Sequence, residues 1–185
     1  SSGIDVALVE LLGGDLGLAE REIRSDLAFL AKAGESYYLS TMTALLSRLV
    51  RDQGRDDEAL ELSRAAERAT DEDDFDSQAL WRATRAPIIA RSGDLAGVEA
   101  LARKAVELVR RTEAPMMQAD ALAELAEVLK IAGRPVDARA AIEEAIALCC
   151  SKGNVVSKAQ CRLWASRLDT LCAAPKEPQV GPASP

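Results

Sequence analysis

Apolar residues recur along most of this chain at the three- and four-residue spacing that places them on one face of an α-helix. In the segment 35–52, for example, Leu39, Leu45, Leu46 and Leu49 follow this spacing. The pattern predicts helices at about residues 4–12, 16–33, 35–52, 56–70, 77–92 and 95–111. It also predicts a fourth pair, whose two helices have Pro115 and Pro135 in their first turns and which Gly153 closes. A final helix is predicted at about 155–173.

An internal repeat underlies this pattern. A glycine opens a short polar turn four times, at intervals of 40, 39 and 40 residues, and a small or β-branched residue follows five residues later. The glycines are Gly14, Gly54, Gly93 and Gly133, the following residues are Ala19, Ala59, Val98 and Ala138, and a further alanine recurs at Ala66, Ala105 and Ala145. A period of this size predicts helical units that stack into an all-α solenoid. Because a solenoid exposes an extended surface, the repeat favours binding over catalysis.

The repeat also predicts the domain organisation. We expect repeats at about 1–34, 35–74, 75–113 and 114–153, followed by a capping helix at 154–173, because a repeat array needs an end with a polar face. Residues 174–185 are proline-rich without periodicity, which indicates a disordered tail or linker. The chain begins Ser1-Ser2-Gly3 without a methionine, so we expect it to be a piece of a longer protein.

Composition and charge narrow the classes of function. A formal net charge of −7 argues against nucleic acid and membrane surfaces as partners, and the absence of a long apolar span or signal peptide favours a cytoplasmic location. The chain has no histidine and no phosphate-binding Gly-x-x-x-x-Gly-Lys motif, so we expect no metal, no cofactor and no catalytic activity. We expect one of Cys149 and Cys150 to be packed, and redox activity is the alternative for an exposed pair.

Three segments carry a family resemblance: DQGRDDEALEL, RSGDLAGVEAL and IAGRPVDARAAIEEAIAL. Each resembles the turn and second helix of a tetratricopeptide repeat, which implies a right-handed superhelix of about four helix hairpins plus the capping helix. The period near 40 exceeds the usual 34 residues, and we attribute the difference to extra residues at the repeat boundaries. In the third repeat Arg82 and Arg85 replace the usual large apolar residues, and Pro87 predicts a kink.

A wider resemblance covers roughly residues 14–156. Phrases such as SQALWRATRAPIIARSGDLAGVEALARKAVEL and QADALAELAEVLKIAGRPVDA resemble the C-terminal tetratricopeptide region of bacterial multidomain regulators. In those proteins a class III adenylate or guanylate cyclase domain, or a transcription-factor domain, precedes a large P-loop ATPase. The resemblance therefore implies a signalling context by association, and it does not identify a ligand.

The tetratricopeptide resemblance also implies where a partner binds, because in that family the first helix of each pair lines the concave groove. The positions that correspond to the groove, or that lie near it with matching charge, are Thr41, Ala44, Arg48, Arg51, Leu80, Arg82, Ala83, Arg85, Pro87, Asp120, Ala123, Glu124 and Glu127. Their charges could hold a peptide of matching polarity. The alternative is that they form the solvated face of amphipathic helices or pair with one another between repeats.

These observations favour a protein-interaction or regulatory module that binds a protein, a peptide or another domain of its parent. The first rival is a small-molecule sensor, which an enclosed pocket with apolar walls would favour. The second rival is a self-association module, which a large apolar patch on an end helix would favour. The sequence leaves these alternatives and the oligomeric state open.

Overall fold

The computed structural model of the protein describes residues 15–33, 38–150 and 165–166. Within residues 15–150 the described chain forms seven helices and no strand, which confirms the predicted all-α class. The helices are α1 (Leu16–Ala33), α2 (Leu39–Asp52), α3 (Asp56–Ala69), α4 (Phe75–Arg91), α5 (Val98–Val109), α6 (Pro115–Ile131) and α7 (Pro135–Cys150).

Glycine turns join the two helices of the three hairpins that the structure describes in full, as the repeat predicts. Gly54 and Gly133 have φ angles of 81° and 73°, a left-handed conformation that only glycine adopts without strain. At both turns the residue after the glycine donates its backbone N–H to a carbonyl five residues earlier, at 3.2 Å for Arg55 and 2.9 Å for Arg134. This Schellman arrangement satisfies the last carbonyl groups of the first helix and reverses the chain.

The helices stack as hairpins. The first helices of the three complete hairpins, α2, α4 and α6, lie side by side, and we call them the first-helix layer. Their partners α3, α5 and α7 pack against them, and α1, α3 and α5 each also contact the first helix that follows in the chain. Each hairpin therefore buries its apolar face against its neighbours, as in a solenoid.

The predicted small positions form the helix contacts. Ala19, Ala59, Val98 and Ala138 are at most 3% exposed, and Ala66, Ala105 and Ala145 are fully buried. Small side chains let helix backbones approach closely, which explains why they recur at this spacing. The small residues that the repeat predicts to be packed are therefore buried from Ala19 to Ala145.

Arginine–carboxylate pairs about 35 residues apart in sequence connect successive hairpins at their turns. Arg55 lies 2.5 Å from Glu20, and Arg134 lies 2.6 Å from Glu99. Each arginine directly follows a turn glycine, so the turn that reverses the chain also presents a cation to the preceding hairpin.

Four predicted boundaries differ from the structure. Helix α2 begins at Leu39 rather than at residue 35, and Tyr38 before it lies in a turn. Helix α4 begins at Phe75 rather than at residue 77, because the Asp74 carboxylate accepts the backbone N–H of Ser77 at 3.0 Å and caps the helix. Helix α5 begins at Val98 rather than at residue 95, because Gly97 adopts a left-handed φ of 75°. Helix α5 ends at Val109, and the two following arginines form a turn.

Helix α4 continues through the buried Pro87 as one helix from Phe75 to Arg91, and the predicted kink there stays a prediction. The predicted helix at 4–12, the turn at Gly14, the C-terminal cap at Gly153 and the tail at 174–185 lie outside the described residues. Of the predicted capping helix only residues 165–166 are described, and they are helical.

Candidate functional site

Two ion pairs connect the outer members of the first-helix layer. On α2, Arg48 and Arg51 are three residues apart, and on α6 Asp120 and Glu124 are four apart, so each set projects from one helix face. Arg48 Nη1 lies 2.6 Å from Asp120 Oδ2, and Arg51 Nη2 lies 2.7 Å from Glu124 Oε1. Asp52 also accepts from Arg51, at 2.8 Å. We call these five residues the charged cluster.

The charged cluster crosses helix α4, which lies between α2 and α6. The residues of α4 beneath it are compact, and Ala79, Ala83 and Thr84 are at most 7% exposed. These residues line a cavity of about 30 Å³, together with Arg48, Leu80, Val109, Met117, Asp120, Ala121 and Glu124. The small side chains of α4 therefore leave a depression, over which arginines from one hairpin reach carboxylates two hairpins away.

The cluster is largely removed from solvent. The Arg51 and Glu124 side chains are each 8% exposed, whereas Arg48 and Asp120 retain 20% and 24%. The Asp120 charge, opposed by burial, raises the pKa of Arg48 above its usual range. Burial alone would lower the pKa of Arg51, but the charges of Glu124 and Asp52 outweigh it and raise that pKa. Both arginines are therefore held in the charged state.

The cluster does not use all of its hydrogen-bonding capacity. Arg48 Nε and Arg51 Nη1 are buried donors without a protein partner, and Glu124 Oε2 is a buried acceptor without one. A buried polar group that lacks a hydrogen bond costs about 1–3 kcal/mol. The cluster thus contains two buried donors and one buried acceptor without a protein partner.

The other predicted groove residues on α2, α4 and α6 lie on the same layer. The Thr41 hydroxyl is 2.7 Å from that of Ser77, and Leu80 lines the cavity. Glu127 lies 2.5 Å from Arg91, which also contacts Asp56 at 3.0 Å. These pairs match the alternative in which charges pair between repeats, and partner binding by the same residues stays a prediction.

Arg82 and Arg85 lie elsewhere: Arg85 contacts α3, and Arg82 contacts residues of its own helix. Arg85 donates to the Ser63 carbonyl at 2.8 Å and pairs with Glu67 at 2.7 Å. Arg82 donates to the Gln78 backbone carbonyl at 2.7 Å, and burial lowers its pKa. Both guanidinium groups stack on the Trp81 ring, with centroid distances of 3.9 Å for Arg82 and 4.3 Å for Arg85. The structure therefore does not bring these two arginines to the charged cluster.

Sequence reasoning missed three participants. Asp52 joins the cluster from the last turn of α2, Arg91 connects α4 to α6, and Trp81 supports both displaced arginines. The role of Trp81 could have been predicted from the sequence, because an aromatic residue next to an arginine offers a surface on which a guanidinium group can stack. In the neighbouring pair, Cys149 is buried and Cys150 is exposed, so one of the two is packed as expected.

Among the described residues, no group of three or more acidic or cysteine side chains is arranged to hold a metal ion. No helix in this part of the chain combines the length and apolar character that crossing a membrane requires.

Comparison with known proteins shows the fold. No protein-family model matches the chain, and no curated protein matches it. The crystal structure of BtubC (BKLC) from P. vanneervenii is similar at a TM-score of 0.58 and 19% identity, over 97% of this chain and 82% of that one. A putative kinesin light chain from Podosopora anserina with nearly identical TPR-like repeats is similar at 0.56 and 16%, over 96% of each chain. The protein therefore has the fold of a TPR-like helical repeat.

Proposed function

We propose that this protein is a non-catalytic interaction module whose first-helix layer binds a segment of another protein or of another domain in its parent chain. The observation that carries this proposal is the charged cluster, which gathers polar side chains from α2 and α6 around a depression on α4. TPR-like solenoids generally use such extended surfaces for binding.

Internal pairing leaves part of the cluster available to a ligand. Arg48 and Asp120 keep 20% and 24% of their side-chain surface exposed, so an incoming polar group can reach them. Charge-assisted hydrogen bonds are directional and short, and both signs of charge are present, which supports recognition of a segment with a defined polar pattern.

The size of the cavity favours a protein segment over a metabolite. Sites for small molecules usually enclose about 300–1,000 Å³, whereas the cavity beside the cluster measures about 30 Å³. A side chain of an extended segment can place its tip there while the rest of the segment lies on the layer.

We place the module in a cytoplasmic signalling regulator of bacterial origin. The support is the resemblance of residues 14–156 to the repeat region that follows an ATPase in such regulators, together with the acidic net charge of −7. On this proposal the bound segment comes from a partner or from a neighbouring catalytic domain.

Site-specific photocrosslinking tests the proposed surface. A benzoylphenylalanine at Met117, which lines the cavity on α6, should form adducts with proteins from the source cells. The same group at the exposed Glu143 on α7 is the matched control and should not form them. Adducts that form equally from both positions, or from the control alone, would contradict the proposal.

A further inference from the structure

We propose that the cleft between α3 and α5 binds an acidic segment of a partner protein. This inference goes beyond the proposed function, because the cleft lies on the other side of α4 from the cavity. Arg82 in the cleft follows Leu80 in the cavity lining by two residues, which is about 200° of helical turn. The inference rests on the shape of the equivalent cleft one repeat later, on the cations that replace its residues, and on the unpaired state of three of those cations.

The next repeat along the chain shows the shape of such a cleft. Helices α5 and α7 flank a cleft of about 440 Å³, and Leu122 and Leu125 of α6 lie on its floor. The residues 40 positions earlier, on α4, are Arg82 and Arg85. Arg85 pairs with Glu67 of α3 at 2.7 Å, as expected for a residue on the floor between α3 and α5. The two arginines therefore occupy the place of the two leucines.

Cations also replace the acidic residues of the walls. Glu107 of α5 and Glu144 of α7 line the cleft of the next repeat. Their equivalents, 39 and 40 positions earlier, are Arg68 on α3 and Lys104 on α5. A third wall position keeps a cation in both repeats and is Arg64 on α3. The cleft between α3 and α5 is therefore cationic, although the whole chain has a net charge of −7.

Carboxylates of the cleft do not balance these charges. The acidic residues at the equivalent lining positions are Glu67 and Asp71, and Glu67 pairs with Arg85. The cations that have no carboxylate partner among the described residues are Arg64, Arg68 and Arg82. Burial lowers the pKa of Arg82, Glu67 opposes this shift, and the Arg85 charge adds to it. Carboxylates of a bound segment would supply the missing negative charge.

Arg82 is held in place with one edge open. Its Nη1 donates to the Gln78 backbone carbonyl at 2.7 Å and to the Gln78 side-chain oxygen, and its guanidinium stacks on Trp81. Within the described part of the chain, Nε and Nη2 have no partner, and unlike Arg48 Nε they are not sealed from solvent. These two N–H groups form the fork that binds both oxygens of one carboxylate.

The distribution of the cations favours an acidic protein segment over a nucleic acid. Arg64 and Arg68 lie one turn apart on the wall and Arg82 lies on the floor, so the charge follows the cleft and can meet several carboxylates in a row. Single-stranded nucleic acids also need exposed rings on which their bases stack. Trp81 is only 2% exposed and is covered by arginines, so it offers no such surface.

Fluorescence anisotropy with labelled probes tests the inference. A hexaglutamate peptide should bind at low salt, and its Kd should rise with salt because the contacts are between charges. A hexaglutamine peptide with the same label should not bind. A thymidine hexanucleotide should bind at least tenfold more weakly than hexaglutamate. Absence of hexaglutamate binding would overturn the inference, and equal binding of the hexanucleotide would show a general polyanion site instead.

Three variants locate the site. Arg82→Gln removes the fork and should raise the Kd of hexaglutamate at least threefold. The double variant Arg64→Gln/Arg68→Gln changes two exposed residues, so it should keep the wild-type melting temperature while raising the Kd at least tenfold. Arg139→Gln removes a cation from α7, where the side chain is 55% exposed, and should leave the Kd unchanged. An unchanged Kd in the double variant, or an equal rise in Arg139→Gln, would overturn the inference.

Discussion

Removing one member of the buried Arg51–Glu124 pair should cost far more stability than removing both. The two side chains are each 8% exposed and lie 2.7 Å apart. In Arg51→Leu, Glu124 remains buried with both of its oxygens unpartnered. Breaking a buried pair in this way typically costs about 3–5 kcal/mol. Glu124→Leu should cost less, about 2–4 kcal/mol, because Arg51 keeps Asp52 as a partner at 2.8 Å.

The double variant should recover most of this loss. Two leucines remove both charges and both desolvation penalties, so its free energy of unfolding should lie within about 1 kcal/mol of the wild type. The corresponding coupling energy is about 4 kcal/mol or more. The exposed pair Arg139–Glu143, in which both side chains are more than half exposed, is the matched control and should couple by no more than about 0.5 kcal/mol.

Urea unfolding monitored by circular dichroism measures all of these values. With a denaturant slope of about 2 kcal/mol/M, a loss of 3 kcal/mol lowers the midpoint by about 1.5 M. Single variants whose midpoints change by less than about 0.3 M, or costs that simply add in the double variant, would refute the description of this pair as buried and mutually dependent.

Three further predictions concern the scaffold. Ala145→Arg should lower the free energy of unfolding by a few kcal/mol, because Ala145 is fully buried. The control Glu61→Arg, at an exposed position, should change it by less than about 0.5 kcal/mol. Equal urea midpoints for the two variants would show that the repeat register is wrong. Hydrogen bonding from Arg55 lowers the pKa of Glu20 to about 2, so Glu20 stabilises the fold above pH 4.5, and this contribution is lost as the pH falls towards 2. After a discount for solvent screening, the Glu20 charge contributes about 1–2 kcal/mol to the free energy of unfolding. The difference in this free energy between the wild type and Glu20→Gln should therefore shrink as the pH is lowered from 6 to 3. A difference that stays constant over this range would count against the prediction. Arg85→Ala should lower the melting temperature, because it leaves the Ser63 carbonyl and Glu67 without this donor, and an unchanged melting temperature would show that these contacts contribute no stability.

Local sequence rules account for most of the fold. The glycine turns and the small residues five and twelve positions later depend on backbone conformation and helix contact, which are local and periodic, so Ala59 and Ala138 were placed correctly. The start of α4 was misplaced because a run of acidic residues reads as a solvated linker, while one member of it, Asp74, caps the helix.

The candidate site was only partly predictable. The resemblance placed Arg48, Arg51 and Asp120 on one layer, because first helices occupy equivalent positions in each repeat. The pairing of Arg48 with Asp120, 72 residues away, depends on the curvature of the stack and on the small side chains of α4, which no local pattern encodes. The positions of Arg82 and Arg85 depend on stacking with Trp81. Other repeats have large apolar residues at these two positions, so the resemblance does not predict this contact.

The central claim is that the first-helix layer is the binding surface, and the dissociation constant of a crosslinked partner tests it most directly. Leu80→Arg places a bulky cation among the residues that line the cavity, and Glu143→Arg places one on the exposed side of α7. With both variants shown to be folded by circular dichroism, Leu80→Arg should raise the Kd at least tenfold, about 1.4 kcal/mol, and Glu143→Arg should leave it unchanged. Equal Kd values for Leu80→Arg and the wild type would contradict the account.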